Sequence, residues 1–212
     1  MLKQIILRKT ININGQLMDL STPKVMGILN VTPDSFFSGS RKQTEQEILR
    51  RCHQILEEGG AMIDVGAQST TPTSSLLTAK EEAARLMPAL KQIRRELPEA
   101  ILSVDTFYAD VARQAVEEHG VQIVNDISAG QIDARMFSVI AELKVPYVLM
   151  HMRGTPQEMQ KQTDYTHLFQ DLTYFFSERI AQLNSLGVND VIIDPGFGFS
   201  KTLMQNFELM AY

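Results

Sequence analysis

Hydrophobic and polar residues alternate in two different ways along the chain. The segment from Ile5 to Leu20 alternates around Asn14-Gly15, a dipeptide that accepts the positive φ angles of a tight hairpin turn. From Val25 onward, short apolar runs are each followed by a loop and then by a longer amphipathic stretch. The pattern predicts an N-terminal β-hairpin within residues 1–22 and, after it, a series of βα units.

The apolar runs have the length of strands, and the stretches between them have the periodicity of helices. Strands are predicted at Val25–Leu29, Met62–Val65, Ile101–Val104, Val121–Val124, Tyr147–Met150 and Val191–Ile193. Helices are predicted at Thr44–Glu58, Ala79–Leu97, Ala109–His119, Ala134–Leu143 and Tyr165–Leu186, with a sixth beginning after Lys201. Because a parallel neighbour is reached only by a crossover connection, this order predicts a parallel sheet.

Polar residues that can bind ligands stand at or just after every predicted strand. They are Asn30, Asp64, Asp105, Asn125 with Asp126, His151 and Asp194. A doubly wound open sheet gathers its ligand groups at one switch point, whereas a barrel draws them from many strands at its C-terminal face. The alternation of elements fits both architectures, but this distribution of polar groups favours the barrel.

Composition and charge narrow the classes of function. The formal net charge is −5 and the basic residues form no clustered stripe, so nucleic acid is not an expected partner. No apolar run reaches the length of a membrane span, and the N-terminus is too polar for a signal peptide, so we expect a cytoplasmic protein without a membrane partner. The only cysteine, Cys52, fits a reducing compartment, and the spacing of the four histidines does not indicate a zinc site.

Six segments at successive strand ends resemble, in the same order, the signature blocks of dihydropteroate synthases. They are GILNVTPDSFFSGS (27–40), GAMIDVGAQSTTP (60–72), SVDTF (103–107), VNDISAG (124–130), HMRGTP (151–156) and DPGFGFSKT (194–202). The resemblance covers the chain from about Val25 to its last residue. It implies a (β/α)8 TIM barrel, with about six of the eight βα units present, in a single pterin-binding domain over residues 1–212.

The resemblance also implies an activity and a set of site residues. The activity condenses (7,8-dihydropterin-6-yl)methyl diphosphate with 4-aminobenzoate to 7,8-dihydropteroate and diphosphate, in folate biosynthesis, and the enzyme is expected to be a homodimer. Asp105 is the implied catalytic residue. The implied pterin ligands are Asp105, Asn125, Asp194, Met150, Phe199 and Lys201. Asn30 is implied to bind Mg²⁺, Thr70 to bind the diphosphate, and Thr32, Pro33 and Phe36 to belong to the aminobenzoate loop.

The residue types suit this chemistry, although each has a simpler structural reading. A buried pterin edge carries a row of hydrogen-bond donors and acceptors, which carboxylates and an amide can match. The same Asp and Asn residues could instead cap the helices that follow, and Asp126 could share the role of Asn125. Met150 and Phe199 could be ordinary core residues, and the role of His151 could be structural.

Two departures from the family pattern affect the expected activity. Thr71 stands where the family has an arginine in the loop that encloses aminobenzoate, which puts binding of that substrate in doubt. The family also continues through two more βα units, which carry a Ser-Arg-Lys and an Arg-x-His segment, so we expect weak turnover from the chain as given. A non-catalytic or truncated pterin-binding module, or a methyltetrahydrofolate-dependent corrinoid methyltransferase, therefore remains an alternative.

Overall fold

A computed structural model of the chain describes residues 9–32, 41–68 and 76–211. The first two strands, β1 (Thr10–Ile13) and β2 (Gln16–Asp19), pair in antiparallel fashion as a hairpin. Asn14 and Gly15 adopt φ angles of 50° and 84°, and two consecutive positive φ angles are what a two-residue hairpin turn requires. The predicted hairpin is confirmed, although the first residues assigned to it, 5–8, lie outside the described part of the chain.

Six further strands form a second, parallel sheet, and a helix follows each of them. The strands are β3 (Met26–Asn30), β4 (Met62–Gly66), β5 (Leu102–Asp105), β6 (Ile123–Asp126), β7 (Tyr147–Met150) and β8 (Val191–Asp194). The helices are α1 (Arg41–Glu57), α2 (Ala79–Glu96), α3 (Ala109–His119), α4 (Met136–Leu143), α5 (Leu168–Ser185) and α6 (Leu203–Met210). A short 3₁₀ turn, Met159–Lys161, precedes α5.

The order of the strands in the sheet distinguishes the two architectures that the sequence allowed. The strands lie side by side in chain order, from β3 to β8, and every neighbouring pair is parallel. A doubly wound sheet reverses its strand order at a switch point, whereas a (β/α)8 barrel does not. The predicted barrel architecture is therefore confirmed for the six βα units that are described.

The outer face of the sheet packs against the helices. Ile63 and Val65 of β4, and Val104 of β5, belong to one large buried cluster together with residues of α1, α2 and α3. Cys52 of α1 lies fully buried in the same cluster, where burial raises the pKa of its thiol to about 11. In the described part of the chain, no helix combines the length and apolarity needed to cross a membrane.

The inner face of the sheet is apolar at its N-terminal end, where the hairpin covers it. Ile11 and Ile13 of β1 form a buried cluster with Met62, Ile123 and Val148, and the partly buried Met26, Ile101 and Ile192 pack against it. Each of these six side chains belongs to a parallel strand, except Ile101, which directly precedes β5. Because side chains alternate between faces, the residues two positions further along each strand also point inward. This alternation determines which residues form the next layer.

Candidate active site

The layer above the apolar cluster is largely polar. Counting two residues on from each member of that cluster gives Ile28, Asp64, Ser103, Asn125, Met150 and Asp194. A further step along the first three parallel strands gives Asn30, Gly66 and Asp105, and strand pairing aligns these three in one row. The same pairing places Asp105 beside Asn125, and Met150 beside Asp194. The four strand residues predicted to bind pterin, Asp105, Asn125, Met150 and Asp194, thus share the inner face at the C-terminal ends of the strands.

Asp105 occupies the last position of β5 in an acidic environment. Burial raises the pKa of its carboxyl group well above the usual range, and the nearby charges of Asp64, Glu82 and Asp126 raise it further. No basic side chain in the described ranges forms an ion pair with it. Its predicted alternative role, capping α3, is not what is observed, because Tyr108 holds the N-cap position and the Ala109 amide donates to Asp133.

Asp64 was not predicted as a site residue, yet it controls the orientation of one that was. Its Oδ2 accepts a hydrogen bond of 2.9 Å from the Nδ2 of Asn125. The buried Oδ1 atoms of both residues have no hydrogen-bond partner among the described residues, which is uncommon for buried polar atoms. Burial raises the pKa of Asp64, while the hydrogen bond from Asn125 partly opposes that shift. The pair therefore turns the carbonyl oxygen of Asn125 toward the interior as an acceptor.

Gly66 separates two predicted site residues. A Cβ atom placed on this glycine would lie 3.2 Å from Oδ2 of Asp105 and 3.6 Å from Oδ1 of Asn30. Even a Cβ atom at this position would crowd Asp105, so the glycine permits the close approach of the implied catalytic residue and the implied magnesium ligand. No group of three or more His, Cys, Asp or Glu side chains in the described ranges could hold a metal ion. Asn30 alone fits only an ion whose other ligands come from a substrate and from water.

A second buried acid lies behind this row, on α2. Glu82 is fully buried, and burial raises the pKa of its carboxyl group to about 7. Gln68 donates from Nε2 to Glu82 and to the backbone carbonyl of Leu77. Its Oε1 accepts a hydrogen bond from the Leu77 amide. Glu82 lies four positions before Leu86 on the buried face of α2, a helical spacing that could have indicated this acid, although it follows the exposed Glu81 in the first helical turn.

Asp126, the neighbour of Asn125, faces the opposite side of the sheet. Its Oδ1 accepts from the amide and hydroxyl of Ser128, and its Oδ2 accepts from the Gly130 amide and the Tyr147 hydroxyl, all within 2.8 Å. Every acceptor position that faces the protein is used. Asp126 therefore holds the loop after β6 and does not share the role predicted for Asn125.

Asp194 ends β8 and begins a tight loop. Its Oδ1 accepts from the Gly196 amide at 2.7 Å, and its backbone carbonyl accepts from the His151 amide at 3.0 Å. The following helix is capped by Thr202, whose side chain accepts from the Gln205 amide, so Asp194 does not serve as its cap. The loop returns to the inner face at Phe199, which packs with Met150, Phe107 and Met152 in a cluster of its own.

The other three predicted pterin residues are Met150, Phe199 and Lys201. Met150 and Phe199 contribute apolar side chains to one cluster at the strand ends, as expected of a wall around a flat ring. Lys201 is buried, and its ammonium group contacts protein acceptors around His151. Thr32 follows β3 and is half-buried, whereas Pro33, Phe36, Thr70 and Thr71 lie outside the described residues.

Comparisons with known proteins agree with this arrangement. A family model described as pterin binding enzyme matches residues 26–212. A dihydropteroate synthase of Streptococcus pyogenes serotype M6 is 39% identical over 188 residues, covering 88% of this chain and 67% of the relative. The chain belongs to the dihydropteroate synthase family of pterin binding enzymes.

Other members of the dihydropteroate synthase family are comparably similar. The Synechocystis enzyme is 40% identical, with 64% of its length covered, and the mitochondrial folate synthesis bifunctional protein of Pisum sativum is 44% identical, with 36% covered. The chain thus spans about a third to two thirds of these curated relatives. Among solved structures, Xanthomonas albilineans dihydropteroate synthase with 4-aminobenzoic acid has a TM-score of 0.85 at 33% identity, covering 96% of this chain and 72% of that one.

Proposed function

We propose that this chain catalyses the dihydropteroate synthase reaction, joining (7,8-dihydropterin-6-yl)methyl diphosphate to 4-aminobenzoate with loss of diphosphate. The observation that carries the proposal is the polar inner layer, in which the buried Oδ1 atoms of Asp64 and Asn125 have no partner among the described residues. Such atoms are costly unless a ligand satisfies them. Relatives crystallised with 4-aminobenzoic acid and with 7,8-dihydropteroate support the choice of ligand.

The pterin is held, in this proposal, by acceptors on three strands. Asp105, Asn125 and Asp194 accept hydrogen bonds from the N–H groups of the pyrimidinone edge, and Asn125 can do so because Asp64 already engages its amide nitrogen. Met150 and Phe199 pack against the faces of the ring. A site of this kind discriminates strongly against analogues that lack those N–H groups, because its buried acceptors would then stay unpaired.

Asp105 is the proposed catalytic residue. Loss of diphosphate leaves positive charge on the pterin methylene, and a carboxylate on the inner row would stabilise that charge. Burial and the neighbouring carboxylates raise the pKa of Asp105, so the free site favours the protonated form more than water does. A ligand that presents N–H groups and developing positive charge favours the carboxylate, so pterin binding is expected to release a proton. The amine of 4-aminobenzoate then attacks the methylene carbon without a protein nucleophile.

The diphosphate end of the site completes the proposal. Asn30 would hold Mg²⁺ through Oδ1, which lies beside Gly66, and the bound ion would neutralise charge on the departing diphosphate. Thr70 is proposed to hydrogen-bond the diphosphate, and Thr32, Pro33 and Phe36 to contact aminobenzoate. The homodimer, the cytoplasmic location and the assignment of residues 1–212 to one domain stay predictions.

Release of diphosphate from a mixture of the two substrates tests this function directly. The proposal expects release that requires both substrates and is reduced in Asp105→Asn, while Asp164→Asn, the same change at an exposed position, has no effect. Tight pterin binding without any release would support the non-catalytic module instead. Methyl transfer from methyltetrahydrofolate to a corrinoid protein, without diphosphate release, would favour the methyltransferase.

A further inference from the structure

The loop that joins β8 to α6, residues 195–202, carries the inner-face groups of the last described strand. Asp194 stands at its start and Phe199 lies within it, and both are proposed pterin contacts. Gly196 has a φ of 69°, and a Cβ atom there would lie 2.2 Å from the backbone carbonyl oxygen of His151. The loop is therefore pressed against the segment that follows β7, and only glycine fits at the point of contact.

Lys201 lies behind this loop, and all three N–H donors of its ammonium group are engaged by protein acceptors. Its Nζ donates to the carbonyl oxygens of Phe199 at 2.9 Å and Gly196 at 3.0 Å, and to Nδ1 of His151 at 3.1 Å. The carbonyl of His151, at 3.5 Å, is at the limit of a hydrogen bond. An ammonium group has three N–H donors, and these three acceptors match them. The residue is 3% exposed, so it ties the loop together from inside the protein.

His151 can play its part only as a neutral ring. Nδ1 accepts a hydrogen bond only if it keeps its lone pair, so the ring proton must be on Nε2. Burial and the adjacent charge of Lys201 lower the pKa of His151 to about 3, which keeps it neutral throughout the physiological range. The ring also packs edge-on against Phe175 of α5, with the centroids 4.8 Å apart. Its orientation is therefore fixed from both sides.

Ser200 adds a second tie between the same two loops. It is buried with a φ of 53°, which is costly for a residue with a side chain. Its hydroxyl accepts from the Arg153 amide at 2.8 Å and donates to the Arg153 carbonyl at 3.0 Å. Arg153 is itself anchored, because its guanidinium group lies 3.7 Å above the centre of the Tyr165 ring and bonds to Asp171 of α5.

We propose that Lys201, paired with neutral His151, is a positioning residue that fixes the loop of residues 195–200 and thereby places Asp194 and Phe199 in the pterin site. This inference rests on the proposed function. It assigns Lys201 an indirect role, since its three donors are engaged by protein acceptors and none is left for the ligand. The lysine therefore affects pterin affinity only through the loop.

The hydrogen bonds that Lys201 donates to the loop should weaken in alkaline solution. Burial lowers the pKa of Lys201 to about 8, with Asp194 opposing the shift and Arg153 adding to it. His151, which also faces the ammonium group, is neutral and does not change charge in this range. Above pH 8 the neutral amine has only two N–H groups for three acceptors. Pterin affinity is thus expected to fall across this range in the wild type more than in a variant without the amine.

The first measurement is backbone hydrogen exchange in the free protein, which requires no ligand. Lys201→Met keeps the length of the side chain but removes the donors, and Lys80→Met makes the same change at an exposed position. Exchange at residues 196–199 should accelerate about tenfold or more in Lys201→Met, as expected for loss of at least one hydrogen bond. Exchange in β5 and β6 should not change, and Lys80→Met should match the wild type.

The second measurement is pterin affinity by calorimetry with a 6-hydroxymethyl pterin. Lys201→Met should bind about 10- to 100-fold more weakly, a loss of one or two hydrogen bonds. The losses of pterin affinity in Lys201→Met and in Phe199→Ala should not add in the double variant, because the lysine acts through Phe199. If Lys201→Met fails to fold, His151→Leu and His151→Asn replace it. Leucine removes the acceptor, whereas the Asn oxygen stands near the position of Nδ1 and should restore both affinity and slow exchange.

The outcomes separate this inference from the proposed function. Unchanged exchange at residues 196–199 would overturn the positioning role whatever the affinity. Faster exchange with unchanged pterin affinity, or an additive cycle with Phe199→Ala, would also overturn it. A wild-type protein that binds no pterin would refute the proposed function, while the exchange measurement would still decide whether Lys201 holds the loop.

Discussion

Asn125 and Asp126 are neighbours on β6, and they illustrate two different uses of buried polar groups. Asp126 faces the helices, where four donors from Ser128, Gly130 and Tyr147 surround its carboxylate. Asn125 faces the inside of the barrel, where Asp64 takes its amide and its oxygen lacks a described partner. A satisfied buried group stabilises the fold, whereas an unsatisfied one on the inner face of the sheet is a candidate for ligand binding.

The largest effect is expected when the hydrogen bonds accepted by Asp126 are removed. Asp126→Ala should lower the free energy of unfolding by about 3–4 kcal/mol, because it leaves several buried donors unpaired. Urea denaturation would measure the loss. Asp126→Asn, which keeps an acceptor of the same shape, should lose less than half as much, and equal losses in the two variants would contradict the assigned role.

On the inner face, Asp105→Asn should impair catalysis. The neutral amide cannot stabilise positive charge on the pterin methylene, so we expect kcat to fall about 10²-fold, or about 2.7 kcal/mol of activation free energy. Pterin affinity, measured by calorimetry, should fall less than kcat. Equal losses in binding and turnover would refute a role in the transition state.

Glu82→Gln should change how stability depends on pH. The folded state raises the pKa of this carboxyl group from 4.5 to about 7, so the stability contributed by its protonated form is complete below pH 4.5 and is lost as the pH rises through 7. The amide has no such dependence and can still accept from Gln68. At pH 8 the variant should therefore gain about 3 kcal/mol relative to the wild type, compared with the difference at pH 4. Parallel stability curves would exclude this explanation.

The smallest effect tests whether Asp64 orients Asn125. Asp64→Leu removes the acceptor for the Asn125 amide, which can then rotate and present its nitrogen to the ligand. We expect pterin to bind about tenfold more weakly, in proportion to one hydrogen bond, with little change in the free energy of unfolding. Asp64→Asn still offers an oxygen to Asn125 and should recover most of the affinity. Identical affinities for the two variants would leave Asn125 without the proposed support.

Much of the fold followed from the apolar pattern. Tyr147–Met150 and Ala109–His119 were predicted with the bounds that the structure has. The predicted strand at Val121 instead begins at Ile123, because the Val121 and Gly120 amides bond back to Ala115 and Val116 and close α3. A helix cap thus competes with the strand for the same backbone groups, and hydrophobicity alone does not reveal which one prevails.

The start of α5 shows a similar limit. The pattern predicted a helix from Tyr165, but the helix begins at Leu168, because the Tyr165 ring stacks under the guanidinium group of Arg153. This contact joins segments that no local rule connects. The type of an element was therefore predicted reliably where one of its faces is apolar. Its first or last residue was predicted wrongly, by a few positions, where a tertiary contact involves that end.

The sequence predicted where the candidate site residues lie better than it predicted their contacts. Strand-end position made Asp105, Asn125 and Asp194 candidates, the family resemblance assigned them to the pterin, and alternation puts all three on the inner face. Asp64 was named among the polar residues at strand ends but was given no role, because its contact with Asn125 joins residues 61 positions apart in the sequence. The partners of Lys201 depend on loop conformations at Gly196 and Ser200, which no periodicity encodes.

Gly66 lies between two proposed site residues, Asn30 and Asp105, and its small size affects both. Because it has no side chain, the side chains of Asn30 and Asp105 can lie close together on either side of β4. An alanine there would bring its methyl group to 3.2 Å from Oδ2 of Asp105, without needing an unusual backbone angle. Gly66→Ala would accordingly displace these side chains in a folded protein, beside the place proposed for a diphosphate-bound ion. The missing side chain thus spares this end of the polar row from steric crowding.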